Sequence, residues 1–156
     1  MRLLFVCSGN ICRSAMATEY ARAKLASSEL SHVVVNSAGT LGIEGEKATP
    51  EAVQALREEN LDLSGHRSRG ITERDLRTAD LVVVMTLEHL HELDHRFPAG
   101  ARQRFLLRAF ENGPASRGGA PDLEDPIGMP IGTYREAFAI IRKCVDHLVL
   151  HLKHAP

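Results

Sequence analysis

The sequence predicts a single α/β domain built on a parallel sheet, and three observations carry that prediction. Short runs rich in Val, Ile and Leu alternate with longer stretches of helical period, the mark of repeated βαβ units. The short runs are apolar almost throughout, as strands covered by helices on both faces must be. A chain of 156 residues, 44% hydrophobic and 25% charged, is long enough for one buried core and needs no covalent staple.

Strands are expected at residues 2–6, 32–36, 81–85 and 104–107. Between the first two, the alanine-rich segment 13–26 reads as a helix. Thr49-Pro50-Glu51 is a start signal: a capping hydroxyl, proline at the first helical position, then an acid. The helix it opens should run to about Asn60. Thr72 and Asp75 have capping-box spacing, and Thr86 suits the cap of a short helix through Asp94, with Pro98 and Gly100 ending that stretch. From Thr133 onward Tyr134, Phe138, Ile141, Val145, Leu148 and Leu152 recur at steps of four and three, giving one long amphipathic helix packed on the sheet. Residues 39–48 and 111–132 look irregular, and long loops in compact domains often carry function. Within the second, 113–119 reads as flexible loop. There is no internal repeat or boundary, so residues 1–156 form one domain.

Nineteen basic against twenty acidic residues give a formal net charge of -1, so no global field gathers nucleic acid or an anionic membrane. An anion site must therefore be local. The apolar start, Leu3 to Val6, is too short for a signal core or a membrane span, and a cytoplasmic location is expected. Three cysteines, Cys7, Cys12 and Cys144, make no disulfide framework. Cys144 falls on the core side of the last helix as a small apolar residue.

The segment that carries chemistry is Cys7-Ser8-Gly9-Asn10-Ile11-Cys12-Arg13-Ser14, where the first strand turns into the first helix. Ligands bind at such places in open α/β sheets. Gly9 and Asn10 tolerate left-handed backbone angles, so the loop from Ser8 through Cys12 can curl until its N–H groups converge. With the positive end of the helix they make an anion cradle. A cysteine in that cradle is held toward its thiolate, the nucleophilic form. Arg13 can clamp two oxygens of a phosphoryl group in a fork that lysine lacks, and can stabilise the charge that develops there. An alkoxide or phenoxide leaving group needs a proton. Of Asp122, Glu124 and Asp125, Asp125 is the preferred donor because Pro126 holds it extended.

C-x5-R-S directly after a first strand, with a late Asp-Pro, resembles the low-molecular-weight protein tyrosine phosphatases of bacterial type. The resemblance runs over nearly the whole chain, through Asn36-Ser37-Ala38-Gly39-Thr40, Gly65-His66-Arg67-Ser68-Arg69 and Asp125-Pro126. It implies a three-layer αβα fold with a four-stranded parallel sheet in the order 2-1-3-4. It also implies hydrolysis of phosphotyrosine in a protein substrate through a phosphocysteine, with Cys7, Arg13 and Asp125 catalytic and no cofactor or metal. By the same resemblance Asn10, Ser14, Ser37 and His66 form a network that holds the phosphate loop. Cys12 matches a second loop cysteine able to pair reversibly with the nucleophile, although it could equally fill space. Aromatic residues found in eukaryotic members are replaced here by Ile127 and Leu41, which makes the cleft walls aliphatic. A related branch acts on phosphoarginine and shares Lys47-Ala48-Thr49-Pro50 but has threonine in place of Ile11. The apolar Ile11 favours phosphotyrosine, with protein-arginine phosphatase as the alternative.

Two rivals share the topology. An arsenate reductase would need further relay cysteines, which the chain lacks, and a phosphocarrier module would hold phosphate on Cys7 without needing Asp125. His91-Glu92-Leu93-Asp94-His95 matches H-E-x-x-H, but its helix must end near Pro98 and no further ligand motif follows, so no metal site is expected. His147 and His151 read as an exposed helix face, and Arg67, Arg69, Arg74 and Arg77 as solvated positions of which one or two could meet an acidic substrate segment. A phosphorylated protein is the expected partner, no nucleic acid or membrane is expected, and the chain is read as a monomer.

Overall fold

Four parallel strands lie in the order β2-β1-β3-β4. They are β1 (Arg2–Cys7), β2 (Val34–Gly39), β3 (Leu81–Val84) and β4 (Gln103–Leu106). The computed structural model describes residues 1–99, 103–113 and 122–154, so Gly100 and the expected loop from 114 to 119 lie outside the described residues.

Side chains on β1 and β3 alternate between two cores, as the period of a strand requires. Leu3, Phe5, Leu81 and Val83 face one core, shared with α1 (Arg13–Ala26) and α5 (Ile131–His154). Leu4, Val6, Val82 and Val84 face a second, closed by Leu76 of α3 (Glu73–Thr78) and Leu93 of α4 (Leu87–Arg96). Helices on both faces make three layers, as expected. The edge strand β4 is only half-buried, in contrast to the expectation that every strand is covered on both sides.

The helix starts follow the capping chemistry. Thr49 accepts from the Ala52 amide at the head of α2 (Pro50–Arg57), Thr72 and Asp75 form a reciprocal capping box on α3, and Thr86 accepts from the His89 amide on α4. Each such cap contributes about 1 kcal/mol. Helix α2 ends before Asn60 because that residue turns left-handed, with φ 60°, and the Leu61 amide closes onto the Leu56 carbonyl at 3.0 Å.

The largest displacement from expectation is β2, which begins and ends later than residues 32–36. Turns closed by Ser31 N on Ser28 O and Val33 N on Leu30 O occupy its expected start. Its far end runs on through Ala38 and Gly39, in register with Val6 and Cys7. The sheet therefore delivers Cys7 and Gly39 side by side at its carboxyl edge. At β4, Leu107 leaves the strand to begin a 3-10 turn (Leu107–Phe110).

Candidate active site

Between Cys7 and Arg13 the chain folds into a loop whose shape is fixed by Asn10. Its backbone is left-handed, with φ 57°, and its amide points back at Cys7 Sγ, 3.3 Å away. The buried side chain reaches the other way, behind the loop. Nδ2 donates to Ser14 Oγ at 2.8 Å and to Ser37 Oγ at 2.9 Å, and Oδ1 accepts from the Arg69 amide at 3.1 Å. Both hydrogens of Nδ2 are thus committed. Because Ser14 Oγ already accepts one of them, its own hydrogen is available to Cys7 Sγ, 2.9 Å away. The Asn10 carbonyl accepts from His66 Nε2 at 2.6 Å, so that nitrogen carries a hydrogen. Burial lowers the pKa of His66 from its usual 6.5, which keeps the ring neutral.

The loop rests on Gly39. A Cβ there would sit 2.5 Å from the Ser8 carbonyl and 3.1 Å from Asn10 N, so only glycine lets the strand end approach this closely. Ile11 is held from its other side by the Thr49 amide, which donates to the Ile11 carbonyl at 3.0 Å. The Cys12 side chain does not cap the start of α1, and the helix's first-turn N–H groups have no partner within the helix.

Arg13 lies across the opening, only 3% exposed. Its Nη1 donates to the Leu123 carbonyl at 2.9 Å, and Nη2 stands 3.3 Å from Ser8 Oγ and 3.4 Å from Asp125 Oδ2. Nε is buried without a partner among the described residues. One edge of the guanidinium is therefore tied to protein, while Nε and Nη2 remain for an anion.

The three acids of this segment separate cleanly. Asp122 accepts from the Leu87 amide at 2.7 Å and serves the start of α4, and Glu124 points into solvent. Asp125, 41% exposed on its side chain, stands over Arg13. Asp125 Oδ1 also accepts from the Ile127 amide at 3.1 Å, which curls the chain around the buried Pro126.

Cys7, Ser8, Gly9, Cys12, Arg13 and Asp125 border one cleft of about 170 Å³, and Ile11, Leu41, Ile43 and Ile127 form its walls. Aliphatic walls are as the sequence implied. Cys12 is a buried thiol whose sulfur lies 3.6 Å from Thr49 Oγ1 and 3.5 Å from Tyr134 Oη, and burial raises its pKa. A phosphoryl group entering this cleft would meet a sulfur, a guanidinium edge and a carboxyl within one small volume. That set supports displacement at phosphorus followed by proton transfer.

Two expectations need correcting, those for Arg69 and for the His147 and His151 face. Arg69 is not a solvated cation: it grips Asp75 with both terminal nitrogens, at 2.9 and 2.8 Å, while its amide serves Asn10. The His147 and His151 face is occupied, since His147 Nδ1 lies 2.7 Å from the Phe110 carbonyl and His151 sets its ring edge-on to Phe105 and Phe110. Cys144 is fully buried, as expected of a small core residue, and burial pushes its thiol up to about 12. Of the H-E-x-x-H segment, Glu92 pairs with Arg96 at 3.0 Å while His91 and His95 are exposed.

Sequence reasoning passed over four contributors: the Leu123 carbonyl, the Arg69 amide, Thr49 and His89. Two are backbone groups with no side-chain signature. Thr49 showed only as a helix cap. His89 stands two residues before the H-E-x-x-H segment and carries no motif of its own, yet its Nε2 lies 2.8 Å from Ser8 Oγ.

Comparison with known proteins agrees with this geometry. Residues 2–155 match the family described as low molecular weight phosphotyrosine protein phosphatase. A protein-arginine-phosphatase of Geobacillus stearothermophilus is 35% identical over 97% of this chain and 96% of its own length. Among solved structures, a YwlE arginine phosphatase, a C7S mutant with a phosphorylated active site serine, superposes with a TM-score of 0.88. It is 33% identical, covering 99% of this chain and 97% of that one. The low molecular weight protein tyrosine phosphatase from T. tengcongensis gives 0.86 at 36% identity, covering 96% and 98%.

Proposed function

We propose that this chain, which belongs to the low molecular weight phosphotyrosine protein phosphatase family, hydrolyses phosphotyrosine in proteins through a phosphocysteine on Cys7. The observation that carries the reading is the buried, unpartnered Nε of Arg13, a residue that lines the same cleft as Cys7. A buried guanidinium N–H without a partner is costly, and a phosphoryl oxygen satisfies it.

In this mechanism Cys7 Sγ attacks phosphorus, a sulfur–phosphorus bond forms, and the bond to the tyrosyl oxygen breaks. Asp125 gives its proton to that departing oxygen. Water then attacks the phosphocysteine, Asp125 takes a proton from it, and the electron pair of the broken bond returns to sulfur. Ser14 Oγ, 2.9 Å from Cys7 Sγ, stabilises the thiolate in both steps. Arg13 and the loop amides hold the equatorial oxygens as their charge rises. The Asn10 side chain, Ser37 and His66 keep the loop open to the anion and touch no reacting atom, while the Asn10 amide points at Cys7 Sγ from 3.3 Å. The neighbour with phosphate on its active site serine in a C7S mutant supports position 7 as the attacking residue. Three free cysteines suit a cytoplasmic location, which belongs to the same reading.

A phosphoarginine substrate is the second reading, favoured by the identity to proteins named protein-arginine-phosphatase. The walls argue the other way. A guanidine brings several N–H groups that need acceptors, and Ile11, Leu41, Ile43 and Ile127 present none in their side chains, whereas a phenyl ring needs only apolar contact. The deciding experiment compares kcat/KM on phosphotyrosine and phosphoarginine peptides, with Ile11→Thr as a third arm. We expect phosphotyrosine to be preferred and Ile11→Thr to narrow the gap. A marked preference of the unmodified protein for phosphoarginine overturns the substrate assignment, and full activity in Cys7→Ser overturns the covalent mechanism.

A further inference from the structure

We propose that His89 is a positioning residue for the phosphate clamp: through its hydrogen bond with Ser8 Oγ it fixes the hydroxyl that supports Arg13 Nη2. The proposal rests on the phosphatase reading above and adds a residue to it.

His89 is 4% exposed on α4, 81 residues along the chain from Ser8, and the two meet at 2.8 Å. A buried histidine is expensive unless both ring nitrogens are satisfied, and here Nδ1 has no partner among the described residues. Packing alone would be served better by a leucine or methionine. Among the described residues, the ring's one polar contact is with a loop residue that also touches the clamp.

The contact matters because of how Arg13 is held. The Leu123 carbonyl fixes Nη1 at 2.9 Å, which leaves the guanidinium free to tilt about that point. Ser8 Oγ, 3.3 Å from Nη2, is the second point of support. With the covalent attachment at Cδ, these two points define the plane of the fork, and with it the direction of the Nε and Nη2 hydrogens left for phosphate. A serine hydroxyl unsupported by a neighbour rotates among staggered positions, and in most of these its lone pairs do not face Arg13. The His89 ring removes that freedom. The ring must stay uncharged, since an imidazolium here would oppose Arg13. Burial first, and the Arg13 charge second, hold it neutral against the opposing pull of Glu92, Asp125 and Asp122.

The test is a double-mutant cycle on Ser8→Ala and His89→Leu. It is read as kcat/KM on an aryl phosphate and as the inhibition constant of inorganic phosphate, with His89→Gln as the variant that keeps a hydrogen-bonding tip. Loss of one charge-linked support should reduce kcat/KM about tenfold in each single variant. If His89 acts through Ser8, the double variant also loses about tenfold, not about a hundredfold, phosphate inhibition weakens in parallel, and His89→Gln recovers part of both. Losses that multiply, or a His89→Leu protein that melts earlier yet keeps its kcat/KM and phosphate inhibition, overturn the proposal. Should His89→Leu fail to fold, His89→Met, which fills the same buried space and likewise lacks the ring nitrogen that meets Ser8, takes its place in the cycle. An unmodified protein that turns over no aryl phosphate overturns the phosphatase reading itself, whereas normal turnover with a multiplicative cycle removes only the role of His89.

Discussion

Arg13 Nη1 donates to the Leu123 carbonyl at 2.9 Å, two residues before Asp125, and the Leu123 amide is itself tied to the Met85 carbonyl at 2.9 Å. The guanidinium proposed to hold phosphate thus also anchors the segment that presents the proposed acid, and that segment is pinned to the end of β3. Clamp and acid are set relative to each other by one backbone residue.

Arg13→Lys tests this linkage. Lysine keeps the charge but has neither the fork nor the reach to hold Leu123 and an anion at once. We expect kcat/KM to fall by about 10² to 10³, the scale for losing a preorganised donor to developing charge. Amide exchange at Leu123 should rise as its segment loosens. A variant within about threefold of normal activity, with Leu123 equally protected, would show that charge alone suffices.

Asp125→Ala separates proton donation from phosphate binding. On phenyl phosphate, a poor leaving group, kcat should drop by roughly 10² to 10⁴, the usual contribution of a positioned acid. An activated nitrophenyl ester should lose far less, because its leaving group departs without a proton. Equal slowing on both substrates would remove Asp125 from the acid role.

Much of this arrangement can be read from the chain itself, and the parts that cannot share a physical reason. Helix α1 and the caps at Thr49, Thr72 and Thr86 are local events, set by residues within one turn of each other. The Cys7 to Ser14 loop is local too. By contrast Ser37, Ala38 and Gly39 carry little strand propensity, and they extend β2 only because they pair with β1 and back the loop. The link between His89 and Ser8 depends on how α4 docks, and the Leu123 carbonyl is a backbone acceptor that any residue supplies.

Gly39→Ala should damage the site through packing alone. The added methyl meets the Ser8 carbonyl at 2.5 Å and Asn10 N at 3.1 Å, atoms of the phosphate loop backbone that can yield only by deforming the loop. A destabilisation of about 1 to 3 kcal/mol is expected, with weaker phosphate inhibition. Gly132→Ala, near the start of α5 where a methyl meets nothing within 4 Å, is the control and should be at least as stable as the unmodified protein and equally sensitive to phosphate. Calorimetric melting and phosphate titration of the two variants decide the point. A Gly39→Ala protein as stable and as phosphate-sensitive as the control would mean that the loop does not lean on β2.

The buried histidines make stability depend on pH in a defined window. His89 drops from 6.5 to about 4 chiefly because burial penalises its charged form, and His66 is lowered for the same reason. Between these values the unfolded chain binds a proton that the native chain refuses. Stability from the neutral ring is therefore complete above pH 6.5 and declines as pH falls toward 4. For His89 the full drop corresponds to roughly 3 kcal/mol. Carboxylates also titrate in this range, so the informative quantity is a difference: urea unfolding of the unmodified protein and of His89→Gln at several pH values from about 7.5 to about 4. The variant, lacking this ring, should lose less stability on acidification by up to about 3 kcal/mol, with the gap opening below about pH 6.5. Parallel curves would mean that His89 takes up its proton equally in the folded and unfolded chain, and that its ring is not held neutral beside Arg13.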